Sequence, residues 1–106
     1  MRYAVAILLA LTLPANAEDL NSANYILPGC KPLDPRSTAT WKHGLCAGFV
    51  AGVVYAAPNL CLPQGLTNNQ AVAVVIKYIE ARPERMHENF GKLAVEALSA
   101  AWPCKR

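Results

Sequence analysis

Charge is scarce in this chain, and its distribution excludes several classes of protein at once. Only 16% of the 106 residues are charged, and none of those lies between Leu45 and Ile76. Apart from Arg2, which belongs to the leader described below, nine basic side chains stand against seven acidic ones. That near balance lacks the basic stripe a nucleic-acid binder needs. Histidine is equally sparse: His43 and His87 are the only two, each on a charged or polar segment. General acid–base catalysis requires paired groups held in a pocket, and no such pairing is legible. The four cysteines contain no C-x-x-C, which removes a thioredoxin-like redox pair and the usual zinc-knuckle spacing, and no C-x-x-C-H to attach haem. The chain reads as a non-enzyme with no metal and no cofactor.

Unbroken apolar length is missing too. A membrane-spanning helix needs about 20 consecutive apolar residues. The uncharged run that begins "LCAGFVAGVVYAAPNLCLP" at Leu45 is interrupted by Pro58, Asn59, Pro63, Gln64 and Gly65, so it reads as two core helices rather than a span. The N-terminal apolar run is shorter still. Met1 and Arg2 form a basic start, "YAVAILLALTL" an apolar centre, and "PANA" ends in the Ala15-x-Ala17 pattern that signal peptidase cleaves after. Residues 1–17 therefore read as a removed secretion signal, leaving residues 18–106 as one small domain outside the membrane.

Three main helices can be placed within that domain. In the first, Asp34 caps with Pro35 at the opening position, or Ser37 or Thr38 caps one turn later. Trp41, Leu45, Gly48, Gly52 and Tyr55 then recur along one stripe, and Pro58 with Asn59 stops the helix. Thr67 and Gln70 form a capping box that opens the second. Its interior "AVAVVIKYI" is β-branched, but the cap, the lack of a partner strand and the stop at Arg82-Pro83 favour helix, and its apolar circumference predicts the most buried element. The third is expected to start at Pro83 with Glu84 beside it, and to carry Met86, Phe90, Leu93, Ala97, Ala101 and Trp102 on its apolar stripe. Arg85, Glu88, Lys92 and Glu96 fall mainly off that stripe. Residues 18–36 look like an extended lead. The fold class that follows is all-α, a small disulfide-stapled bundle of three main helices plus that lead.

The staples are Cys30, Cys46, Cys61 and Cys104, since an even count in a short exported chain reads as two disulfides. If the helices run up, down and up, Cys61 in the connection between the first and second helices and Cys104 after the third lie at one end of the bundle. That favours Cys61 with Cys104 and leaves Cys30 with Cys46. The second pair closes more easily if the first helix starts near Thr38, because a climb from Asp34 would be about 18 Å. His43 lies one turn before Cys46, but a bonded cysteine cannot ligate a metal, so the histidine reads as a helix-flank residue. Met86 beside His87 is one isolated pair, with Met86 already placed in the core. Gly44, Gly48 and Gly52 lie four apart on one helix face. Each glycine costs about 1 kcal/mol of helix stability against alanine, so the repeat predicts close packing there, either within the chain or against a second copy.

The order Cys30, "CAGFVAGVVYA", "CLPQGLTNNQAVAVVIKYIEARPE" and "ALSAAWPC" resembles the Rap/Tai family of immunity proteins, which neutralise type VI secretion amidase effectors. The distinctive parts are Cys61-Leu62-Pro63 leading to Thr67-x-x-Gln70, the junction from Tyr78 through Pro83-Glu84 to His87, and the terminal Trp102-Pro103-Cys104. This resemblance implies a periplasmic, all-helical, often dimeric immunity protein that binds a peptidoglycan-cleaving amidase and blocks its cleft. The connection from Pro58 to Leu66 is compact, leaving little room for a long inhibitory loop. Asn59, Gln64, Asn68 and Asn69 at that bundle end are the candidate partner contacts, with turn and capping roles as the plain alternative. A small periplasmic helical chaperone, or an orphan binding protein of the same fold, would share export and disulfides.

Overall fold

The computed structural model describes residues 19–31 and 40–105. Among them are four helices, α1 (Ala23–Cys30), α2 (Thr40–Ala56), α3 (Asn68–Glu80) and α4 (Phe90–Ala101), with a 3-10 turn at Pro83–Arg85. The architecture is an all-α bundle with two disulfides, as expected. The secretion signal and the alternative caps Asp34, Ser37 and Thr38 lie outside the described residues.

The N-terminal lead is not extended throughout, because residues 23–30 are helical. The Ser22 hydroxyl accepts a hydrogen bond from the Tyr25 amide and caps α1. Ala23, Ile26, Leu27 and Cys30 then recur at helical spacing and are all buried. Pro28 and Gly29 make this segment look broken in the sequence, yet Pro28 is exposed in the last turn. Gly29 is where α1 touches α2, since a Cβ there would lie 2.7 Å from the Lys42 carbonyl carbon and against its oxygen. The close approach that the helix-face glycines seemed to promise is made by Gly29, and by Gly91, whose Cβ would meet the Phe49 ring at 2.9 Å.

After α2 the chain turns at Pro58-Asn59, with Asn59 at φ 66°, a left-handed conformation asparagine tolerates better than most residues. The capping box of α3 is formed as expected: the Gln70 amide donates to Thr67 Oγ1 at 3.2 Å and the Thr67 amide donates to Gln70 Oε1 at 3.0 Å. Residues 68–80 are helix, not strand. They are not the most buried element, however. α3 buries Ala71, Val75 and Ile79, whereas α4 buries Phe90, Leu93, Ala94, Ala97 and Leu98. α3 packs through one stripe and leaves the rest of its apolar circumference at least partly open, so that circumference did not make it the most buried element.

The third expected helix starts later than Pro83-Glu84 suggests. The 3-10 turn is followed by a non-helical stretch, and α4 opens at Phe90 with the Asn89 side chain accepting from the Lys92 amide. Tertiary pairing explains the interruption. The amides of Ala23 and Asn24 donate to the carbonyls of Glu88 and Met86, and the Phe90 amide donates to Asn21. Backbone groups that would have continued a helix from Pro83 are used to bind the N-terminal segment. Ala101, placed on the apolar stripe in the sequence, is exposed, while Met86 and Trp102 pack against the core at half burial.

Cys30 is bonded to Cys46 and Cys61 to Cys104, with Cα–Cα distances of 5.2 and 5.1 Å. The first bridge is buried between α1 and α2. The second is exposed and joins the α2–α3 connection to the chain after α4. Phe90 anchors the core between them, meeting Phe49 edge to face at 5.3 Å.

Candidate functional site

Cys46 and Val50 decide which way α2 faces. Both are fully buried, and on a helix of 3.6 residues per turn they point directly away from Gly48. The glycine face is therefore the exposed one: Gly44, Gly48 and Gly52 are open to solvent, as are Trp41 and Tyr55 of the neighbouring stripe, while Leu45 of that stripe is half-buried against the core. A Cβ added at Gly44, Gly48 or Gly52 would meet nothing within 4 Å. The glycines do not serve close packing among the described residues of this chain. Gly48 and Gly52 instead line an apolar surface groove together with Phe49 and Val53 of α2 and Gly91, Lys92 and Val95 of α4.

The four amide side chains are spread over the α2–α3 connection and the start of α3, with only Asn59 shown beside the Cys61–Cys104 bridge. Asn59 occupies the left-handed turn, Gln64 the connection before α3, and Asn68 and Asn69 the first turn of α3; all are exposed. Asn68 Nδ2 donates to the Ala47 carbonyl at 3.1 Å, so part of its hydrogen-bonding capacity ties α3 to α2. A cleft beside it is lined by Ala51, Val54, Tyr55, Leu66 and Thr67. The turn role of Asn59 and the tether of Asn68 coexist with exposure, and of the four amides Asn68 is the one that lines the cleft.

Ionisable side chains of the turn after α3 are tied to those of α4. Arg85 Nε donates to Glu88 Oε2 at 2.6 Å and Arg85 Nη2 donates to Glu96 Oε1 at 3.0 Å. Lys92 Nζ reaches Glu88 at 3.1 Å, and the Tyr78 hydroxyl donates to Glu96 at 3.2 Å. Hydrogen bonds from Arg85 and then Lys92 hold the Glu88 carboxyl down at about 2, and Arg85 lowers Glu96 as well. Carboxylates so firmly ionised are poorly matched to proton transfer near neutral pH. Their role is a clasp that fixes the turn after α3 onto α4. The sequence showed these residues off the apolar stripe, but not their convergence, because Arg85 lies outside the helix that carries Glu96.

His43 and His87 are not brought together with other ligands, and among the described residues no group of three or more His, Cys, Asp or Glu converges. His87 is exposed. His43 is half-buried, and its Nδ1 has no hydrogen-bond partner among those residues. No described helix is long and apolar enough to cross a membrane.

These features define a class: a small all-α domain, stapled by two disulfides, whose accessible features are an apolar cleft beside Asn68 and an open apolar helix face. Within that class, the family model described as Rap1a immunity proteins matches residues 18–104, and the chain belongs to that family. No curated protein and no solved structure matches it.

Proposed function

We propose that this protein is a periplasmic immunity protein that binds a type VI secretion peptidoglycan amidase and inhibits its hydrolysis, with no catalytic activity of its own. The family match across residues 18–104 carries this reading. The leader at residues 1–17 supports export. The two disulfides suit an oxidising compartment. Asn59 and Gln64 in the connection before α3 and Asn68 and Asn69 in its first turn contribute to the contact with the enzyme, and the open face of α2 carrying Gly44, Gly48 and Gly52 serves a homodimer.

The test is a pull-down and inhibition assay of the oxidised, processed protein against candidate secreted peptidoglycan amidases, beginning with any encoded beside it. Tight binding that abolishes hydrolysis is the expected result. Absence of binding across the panel would reject the amidase reading and turn attention to an orphan binding protein or a chaperone. Replacing all four amides with alanine should weaken the complex, and unchanged affinity would remove them from the interface.

A further inference from the structure

We infer that the trough between α3 and α4 binds a free aliphatic carboxylate, with Lys77 and Arg82 on the anionic group and a row of alanines under the hydrocarbon chain. The site is separate from the glycine face of α2 and from the cleft beside Asn68, so it does not rest on the function proposed above.

Helical spacing builds both walls. Val74, Lys77, Tyr78 and Ala81 follow one another at i, i+3, i+4 and i+7, which places them on one face of α3 and its C-cap. Ala97, Ala100 and Ala101 repeat the first part of that spacing on α4. Ala97 is buried at the base, whereas Ala100 and Ala101 are exposed. A stripe that offers only methyl groups to the facing helix leaves space that larger side chains would have filled. The trough holds about 390 Å³. That lies at the lower end of the roughly 300–1,000 Å³ of small-ligand sites, which are apolar with a few placed polar groups. It extends about 10 Å along α3 from Val74 to Ala81, at 1.5 Å of rise per residue.

Charge then chooses the occupant. Two cations line the trough and no acidic side chain does. Lys31, Arg85 and Lys92 are each paired with a glutamate, and Lys42 lies over the Tyr25 and Trp41 rings. Lys77 and Arg82 make no ion pair among the described residues. Arg82 is nonetheless held in place. Its guanidinium stands 3.7 Å from the centroid of the Tyr78 ring, and its Nη1 donates to the Tyr78 carbonyl at 2.9 Å. The Tyr78 hydroxyl donates to Glu96 at 3.2 Å, which fixes the ring that Arg82 rests on. A cation positioned before the ligand arrives lowers the ordering cost of binding. The remaining N–H groups of Arg82 and the Lys77 ammonium are donors suited to a carboxylate.

The floor decides between a lipid-like acid and an acidic peptide. Val74, Ala97, Ala100 and Ala101 have no side-chain hydrogen-bonding groups. A peptide backbone pressed onto them would give up hydration without compensation, while a hydrocarbon chain has no such groups to satisfy.

The test is an NMR titration of the oxidised, processed protein with decanoate. Saturable shifts are expected for the amides of residues 74–82 and 97–101. Lys77→Met combined with Arg82→Met should weaken binding about tenfold or more. Ala100→Trp fills the trough from an exposed position and should abolish the shifts, with circular dichroism checking that each variant is folded. Decyltrimethylammonium, which has the same chain and the opposite charge, should leave these amides unmoved at equal concentration. No enzyme enters the measurement, so failure of amidase inhibition would leave the site standing and failure here would leave the inhibition standing. Absence of a saturable shift up to about 1 mM decanoate, an equal response to the cation, or shifts centred on α2 would overturn the inference. So would a glutamate-rich peptide that moves the same amides at lower concentration, since the trough would then belong to a protein partner.

Discussion

Removing the two disulfides separately sets chain entropy against burial. The bridges close separations of 16 and 43 residues, to which loop entropy assigns about 3 and about 4 kcal/mol respectively. On that term alone the Cys61–Cys104 bridge matters more. Burial acts in the opposite direction. Cys30 is 5% and Cys46 0% exposed, whereas Cys61 and Cys104 are open to solvent. Serine at both buried positions places two hydroxyls in the core, each costing about 1–3 kcal/mol if unpaired. The total for Cys30→Ser with Cys46→Ser then reaches about 5–9 kcal/mol, comparable to the whole stability of a small domain, against about 4 for the exposed pair. The expected outcome is a Cys61→Ser/Cys104→Ser variant that folds with a lowered urea midpoint, and a Cys30→Ser/Cys46→Ser variant that is largely unfolded at 25 °C. Urea titration followed by far-ultraviolet circular dichroism gives both values. Equal losses, or a larger loss for the exposed pair, would refute the ranking by burial. Mild reduction of the wild-type protein with alkylation and peptide mapping supplies an independent check, because Cys61 and Cys104 should label before Cys30 and Cys46.

Glycine substitutions should change sign with position. Gly29→Ala forces a methyl onto the Lys42 backbone and should cost about 1–3 kcal/mol, while Gly44→Ala, with open space around it, should stabilise the monomer by up to about 1 kcal/mol; urea unfolding of the two variants measures the contrast. Acid should weaken the clasp on α4. Glu88 has its carboxyl pKa depressed from 4.5 to about 2 in the folded chain, so its stabilisation is present above the ordinary carboxylate value and is lost as pH falls from there toward about 2. Arg85→Met removes the largest cause, and the urea midpoint should then decline less steeply across that window than in the wild type; parallel declines would remove Arg85 as the source.

Much of the fold follows from local chemistry that any stretch of this chain carries with it. Thr67 and Gln70 are three residues apart, so the cap of α3 was legible despite the β-branched run behind it. Helix direction alone brings Cys61 and Cys104 to one end of the bundle. Ser22 ahead of Ala23, Ile26, Leu27 and Cys30, and Asn89 ahead of Phe90, are capping signals of the same local kind. Pro28-Gly29 and Pro83-Glu84 gave competing signals, and nothing local ranks one above the other. The N-terminal segment settled the second case by taking the carbonyls of Met86 and Glu88.

The face of α2 was a different matter. A helix that is apolar around its circumference carries no periodic signal to say which side is inside. The sequence determined that residues from Trp41 to Tyr55 form a helix with a glycine and aromatic line along it. Only the tertiary structure decided that this line points outward, because the bond from Cys46 to Cys30 and the burial of Val50 fix the opposite side against the core. Local sequence sets the helix, but its rotation about its own axis is set by contacts that are distant in the chain.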